Sequence, residues 1–265
     1  MSRSVLLGCV GAVALNATAF NPAFAEGMTD FSGVLSGDYA NFSVNHGGGN
    51  ADLWGVSGSG VLGLGWSGVA AELDGGYHRL DFGHGLGSVD DWNVDGSIMW
   101  RGVQGRLGPV VGYHSLDSDI SGHVTYYGGF GEWYAGHMFT LGVKGGGFSG
   151  SGNTDGAYLG ASGSFYVMPD LALTANYDYD HLNHLANLNT WSAQGEWLVS
   201  ERLPISLYAG FGQTDISNGG PTVSTWFAGL RFYTNPTGPA PLVERQREGA
   251  ATWGTSLGTG FYSAL

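Results

Sequence analysis

The sequence predicts an all-β fold: an antiparallel transmembrane β-barrel of about twelve strands (10–14 fit the pattern), preceded by a signal peptide. Three observations lead there. Hydrophobicity alternates with period two along most of the chain, the connectors alternate between tight and long, and the composition suits neither a soluble enzyme nor a disordered chain. Gly accounts for 49 of 265 residues, aromatics for 13% and charged residues for only 12%, while 43% are hydrophobic. Nine bases against 22 acids leave a formal charge of −13, which argues against nucleic acid as a partner, since phosphates need basic side chains.

The N-terminus reads as an export signal over residues 1–25. Arg3 supplies a short positive region, Val5 to Phe20 an apolar stretch, and Ala23-Phe24-Ala25 a small-x-small cleavage site before Glu26. Cys9 follows "LLG", but it lies too near the start to be the cysteine of a lipoprotein box. As the only cysteine it would leave with the signal, so the exported chain would have no disulfide. No later stretch approaches the roughly 18 apolar residues of a spanning helix.

The strands follow from residue 30 onward. In the segment from Leu171, the apolar Leu171, Leu173, Ala175, Tyr177 and Tyr179 alternate with Ala172, Thr174, Asn176, Asp178 and Asp180. Such a period of two gives one apolar and one polar face. The return segment sets Trp191, Ala193, Gly195, Trp197 and Val199 against Ser192, Gln194, Glu196 and Leu198. Similar alternation fills 30–45, 51–65, 69–82, 91–104, 106–117, 122–135, 138–149, 155–168, 170–181, 190–201, 204–215 and 222–234. The barrel would occupy 26–234, and a tail 235–265, periplasmic or lumen-associated, would follow it. Antiparallel segments of this length and even number, with Trp and Tyr towards their ends, are what a membrane-spanning barrel needs.

The connectors give independent support. "WSG", "QGR", "GH", "MPD" and "SERLP" are tight, whereas "NHGGGNAD", "GHGLGSVDD", "SLDSDISG", "SGSGNTDG", "HLNHLANLN" and "TDISNGGPT" are longer and more polar. Short turns on one side and longer loops on the other belong to barrel topology. A secreted β-sandwich burying one face is the rival architecture and offers no reason for the alternation.

Taken together, the signal, the strand repeat and the last strand resemble the bacterial outer-membrane β-barrel, porin-like proteins. That strand, "VSTWFAGLRFY", puts Trp226, Ala228, Leu230 and Phe232 on one face, similar to the aromatic-ended strand these proteins use for assembly. The resemblance implies residence in the outer membrane of a Gram-negative bacterium. It also implies contact with lipid and lipopolysaccharide, and handling by a barrel-assembly machinery. The sequence departs from the family where about thirty residues follow Phe232, with "NPTGPAP" and the charged "LVERQREGA" among them. That tail hangs in the periplasm, enters the lumen or supplies the true closing strand; the sequence leaves the three open.

Strand parity also predicts the lumen lining. Asp38, Glu72, Asp74, Asp95, Asp178, Asp180 and Glu196 fall on the polar faces, with Arg101, Arg106, Lys144 and Arg231 as basic counterweight. Many other inward positions are Gly, Ser or Thr, which leave room. The expected function is therefore a narrow passive channel for ions or small hydrophilic solutes with mild cation preference, needing no cofactor. A closed barrel with a structural or surface-interaction role is the alternative. A second alternative is a metal binder or hydrolase at the outer rim, using Asp178, Asp180, His181 and His184. Their spacing matches no established motif, so no enzyme is expected. "GSGVLG" and "GLGWSG" fit G-x-G-x-x-G but open no helix, and "GGGNADLW" has no tandem copy.

Overall fold

The computed structural model describes residues 31–45, 49–65, 68–82, 87–117, 122–151, 154–183, 186–217, 220–234 and 240–249. The expected signal peptide and His184 lie outside them. Twelve strands form one closed antiparallel barrel: β1 (Phe31–Val44), β2 (Asn50–Gly63), β3 (Val69–Phe82), β4 (Ser88–Gly102), β5 (Gly105–Asp117), β6 (Gly122–Ala135), β7 (Phe139–Gly150), β8 (Gly156–Met168), β9 (Leu171–Leu182), β10 (Asn187–Ser200), β11 (Leu203–Ile216) and β12 (Thr222–Thr234). Each strand pairs with its sequence neighbours, and β12 closes on β1 in register from Gly33↔Thr234 to Val44↔Val223. Closure leaves no sheet edge, so the backbone bonds internally, as a segment in hydrocarbon must. The closing strand is thus β12 and not the tail, in which the described residues 240–249 hold a short helix, α1 (Leu242–Glu248).

The long connectors of the sequence are shorter in the structure. Only 45–49, 83–87, 118–121, 151–155, 183–186 and 217–221 separate the strands at that end. Residues such as Ser88, Asp90, Asn187 and Asn189 look like loop because they are polar, yet they continue the ladders of β4 and β10. Backbone pairing outlasts the polarity switch, since a ladder needs a partner strand and not an apolar side chain. At the opposite end, β4–β5, β8–β9 and β10–β11 turn within two residues each, at 103–104, 169–170 and 201–202. At the same end Gly68 closes the β2–β3 return with φ 79°, and a Cβ there would meet the Arg101 carbonyl oxygen at 2.6 Å.

The barrel is apolar outside and keeps its buried charge inside. Leu73, Val143, Leu159 and Trp226 are each more than 60% exposed, on the same outward face as Ile98, Leu107, Val111 and Leu230. Trp100, Trp133 and Trp197 stand outward near the tight-turn end, and Trp92, Trp191 and Trp226 nearer the other. Charge, by contrast, is buried within: Glu72, Asp91, Asp95, Arg106, Asp178, Asp180 and Glu196 are all under 9% exposed.

The inward glycines do not leave the room expected of them. At several of them a large neighbour occupies the space. A Cβ on Gly112 would fall 2.3 Å from the Tyr126 ring, on Gly55 2.1 Å from His78, on Gly210 2.4 Å from Phe227 and on Gly229 2.6 Å from Tyr208. The volume that glycine frees on one strand is filled by an aromatic or imidazole ring from the next.

Candidate functional site: the barrel interior

The inward faces stack into three layers. At the end opposite the tight turns the lining is apolar. Ala40, Phe42, Ala51, Leu53, Leu80, Val89, Leu116 and Val223 form one buried cluster. Val110, Val124, Tyr126, Phe148, Tyr158, Leu182 and Leu188 form another on the facing strands.

Below them lies a polar layer. On β3 and β4, Asp74 sits directly opposite Asp95, and Glu72 opposite Ser97. Like charges facing each other on paired strands repel, and among the described residues no Lys or Arg makes an ion pair with Asp74 or Asp95. Asn93 donates to Asp95 at 2.9 Å. Asp91 is 2% exposed, with His78 at 3.7 Å and His114 at 3.9 Å. Across the lumen, Lys144 on β7 reaches Asp178 on β9 at 2.8 Å. The strand between them offers Gly160 at the same level, where a Cβ would fall 2.3 Å from Asp178 and 2.4 Å from Lys144. A cavity of about 40 Å³ beside this pair, bordered by Glu132, Ser162 and Asn176, has room for a water molecule or so.

The third layer, at the tight-turn end, holds the strongest ion pairs. Arg106 and Glu132 face each other across β5 and β6 and bond at 2.9 and 3.0 Å, a two-point pairing in which both guanidinium and carboxylate geometry are used. Glu196, 1% exposed, accepts from Arg231, from the Ser206 hydroxyl at 2.6 Å and from the Tyr233 hydroxyl at 2.6 Å. Arg231 also lies 4.2 Å above the Tyr208 ring.

Helix α1 is seated on this third layer. Leu242 and Val243 are buried among Tyr166, Ala172, Leu198 and Tyr233. Gln246 donates to Glu196 at 3.0 Å and accepts from the Tyr166 hydroxyl at 2.9 Å. Arg247 donates to Thr140 at 3.1 Å and to the Phe139 carbonyl at 2.8 Å, and Arg245 to the Glu201 carbonyl at 3.0 Å. The last carbonyls of a helix lack partners of their own, and here the wall supplies them. Tyr134 donates to the Arg247 carbonyl, Ser32 to that of Glu248 and Arg106 to that of Gly249. These contacts come from β1, β5, β6, β7, β8, β10 and β12, so the helix spans the lumen at that end.

The sequence-derived lining residues therefore fall into separate groups. Arg106, Glu196 and Arg231 belong to the seat of α1. Lys144, Asp178 and the buried Asp180 lie on one wall of the middle layer, and Glu72, Asp74 and Asp95 on the other. Asp38 and Arg101 are half-buried, Asp38 between Gly55 and Gly229 and Arg101 opposite Arg106. Trp226, Ala228, Leu230 and Phe232 share the outward face of β12. The rim constellation does not converge: Asp178 and Asp180 point inward, whereas His181 is on the outer face, bonded to Asn187 at 2.6 Å. Among the described residues no group of three His, Cys, Asp or Glu is placed to hold a metal ion. Parity could have added Asp91 and Glu132 to the lining; nothing in the sequence marks Gln246 and Arg247 as lumen groups.

No protein-family model matches the sequence, and no curated protein matches it. Solved structures do resemble the fold. The KdgM porin in complex with disordered oligogalacturonate superposes with a TM-score of 0.52 at 11% identity, covering 74% of this chain and 98% of that one. An outer membrane channel from Pseudomonas putida F1 gives 0.55 at 10% identity, covering 79% and 98%. The TodX monoaromatic hydrocarbon channel, as a deletion mutant, gives 0.50 at 10%, covering 83% and 94%. At such identities the likeness is one of fold: that of bacterial outer-membrane β-barrels.

Proposed function

We propose that this chain is an outer-membrane, porin-like channel: a narrow passive path for ions or small hydrophilic solutes, with mild cation preference. The observation that carries the reading is the inside-out distribution of polarity. A protein that exposes Leu73, Val143 and Leu159 while burying Glu72, Asp95 and Glu196 is built for lipid outside and polar contents within. Cation preference follows from the middle layer, where the Asp74–Asp95 wall has no Lys or Arg in ion-pair contact among the described residues. Carboxylates lining a narrow path raise the local concentration of cations and repel anions.

A second reading, a closed barrel with a structural or surface-interaction role, is favoured by the buried apolar clusters at the end opposite the tight turns. An apolar constriction excludes water and conducts only when it widens. Conductance separates the two. The mature chain from Glu26, refolded and inserted into a planar bilayer under a salt gradient, should give discrete steps with a cation-selective reversal potential. Exchanging Glu72, Asp74 and Asp95 for their amides should move that potential towards zero. Verified insertion without steps, in every voltage range, would favour the closed barrel.

A further inference from the structure

We propose that α1 is a displaceable plug, the gate at the tight-turn mouth of the barrel. The inference rests on the channel reading and adds what opens and closes it. Three features distinguish α1 from a permanent part of the core. First, the wall is complete without it. Arg106 keeps both bonds to Glu132, and Glu196 keeps Arg231, Ser206 and Tyr233. Departure of the helix therefore strands no buried charge in the wall, which is the expense that normally locks a polar element in place.

Second, α1 has no stability of its own. Seven residues are far too few for an isolated helix in water, its N-cap, Pro241, makes no side-chain capping bond, and its last carbonyls depend on Ser32, Arg106 and Tyr134. The helix exists because the lumen holds it, so release and unfolding are one event. Third, the helix brings few apolar side chains: of its seven residues only Leu242 and Val243 enter the cluster with Tyr166, Ala172, Leu198 and Tyr233. Six sequence positions lie between Thr234 and Pro241, a tether of roughly 20 Å when extended. That is enough for α1 to swing clear of the mouth while joined to β12.

The expected exported chain has no cysteine, which makes a lock straightforward. Ser32→Cys with Glu248→Cys, in the full mature chain, places a thiol on β1 and another on the helix end that Ser32 contacts. A short bis-methanethiosulfonate cross-linker joins them and a reductant releases them. Conductance should be lost on cross-linking and return on reduction. In the opposite direction, Gln246→Ala with Arg247→Ala removes wall contacts and should raise the open fraction by on the order of tenfold. Spin labels on the same two cysteines report separately whether the helix is in or out. Equal conductance in the locked and reduced barrels overturns the gate and leaves the channel standing. Absence of conductance while the labels show α1 withdrawn overturns the channel reading, and the gate with it.

Discussion

Glu196→Ala should be among the most destabilising single substitutions in the barrel wall. Glu196 is 1% exposed and holds Arg231, Ser206, Tyr233 and Gln246 together. Truncation leaves the Arg231 guanidinium, itself 16% exposed, without its counter-charge, and two hydroxyl donors without their acceptor. Removing one partner of a buried ion pair costs about 3–5 kcal/mol. Replacing both by apolar groups of similar size is far milder, so Glu196→Leu with Arg231→Met should recover at least ~2 kcal/mol of the loss. The assay is reversible urea unfolding of the refolded barrel in lipid vesicles, followed by tryptophan fluorescence, with the single and double variants compared as a cycle. A single-variant cost below ~1 kcal/mol, or a double variant as unstable as the single, would refute the claim that this pair is a buried, mutually dependent unit.

Other variants test the remaining layers. Gly112→Val forces a side chain into space held by Tyr126 and Asp95 and should cost about 1–3 kcal/mol by the same unfolding measurement. Gly37→Ala, whose nearest non-neighbouring atom is 4.0 Å away, should be close to neutral. Leu73→Arg puts a charge on the outward face where the side chain is 64% exposed, and should cost ~2–4 kcal/mol in a bilayer if that position lies near its midplane. Leu242→Ala should leave the barrel's unfolding midpoint unchanged within error while increasing proteolysis of the tail, because Leu242 anchors α1 and not the wall.

Much of the barrel was legible because its physics is local. Whether Leu73 or Asp74 faces lipid depends on parity alone, and the spans read for β3, β6 and β12 coincide with the observed ones. Parity likewise placed Asp95 and Glu196 on the polar face. The outer ends of β4 and β10 were missed for a different reason: there the phase of polarity reverses, with Ser88, Asp90, Asn187 and Asn189 facing outward while Val89 and Leu188 are buried inside. What the interior does was less legible, because it depends on stagger across several strands. Lys144 and Asp178 meet only because Gly160 stands between them on β8, and Glu196 reaches Arg231 past β11. The same long-range register fills the space over Gly55, Gly112, Gly210 and Gly229, which composition alone reads as empty. The rim candidates Asp178, Asp180 and His181 are divided by parity: His181 follows Asp180, and one residue turns a side chain through the wall. Helix α1 was hidden because seven residues are too short to show a helical period and owe their shape to the wall.

The most direct test of the account is a nitroxide scan along β3 in lipid vesicles, one cysteine at a time from Val69 to Leu80 on the cysteine-free mature chain. Collision with oxygen, which concentrates in hydrocarbon, should peak at Val69, Ala71, Leu73, Gly75 and Tyr77 and fall at Ala70, Glu72, Asp74 and Gly76. Such a period of two, in that phase, is what a lipid-facing apolar wall around a polar interior requires. Uniform accessibility, or oxygen maxima at Glu72 and Asp74, would contradict it.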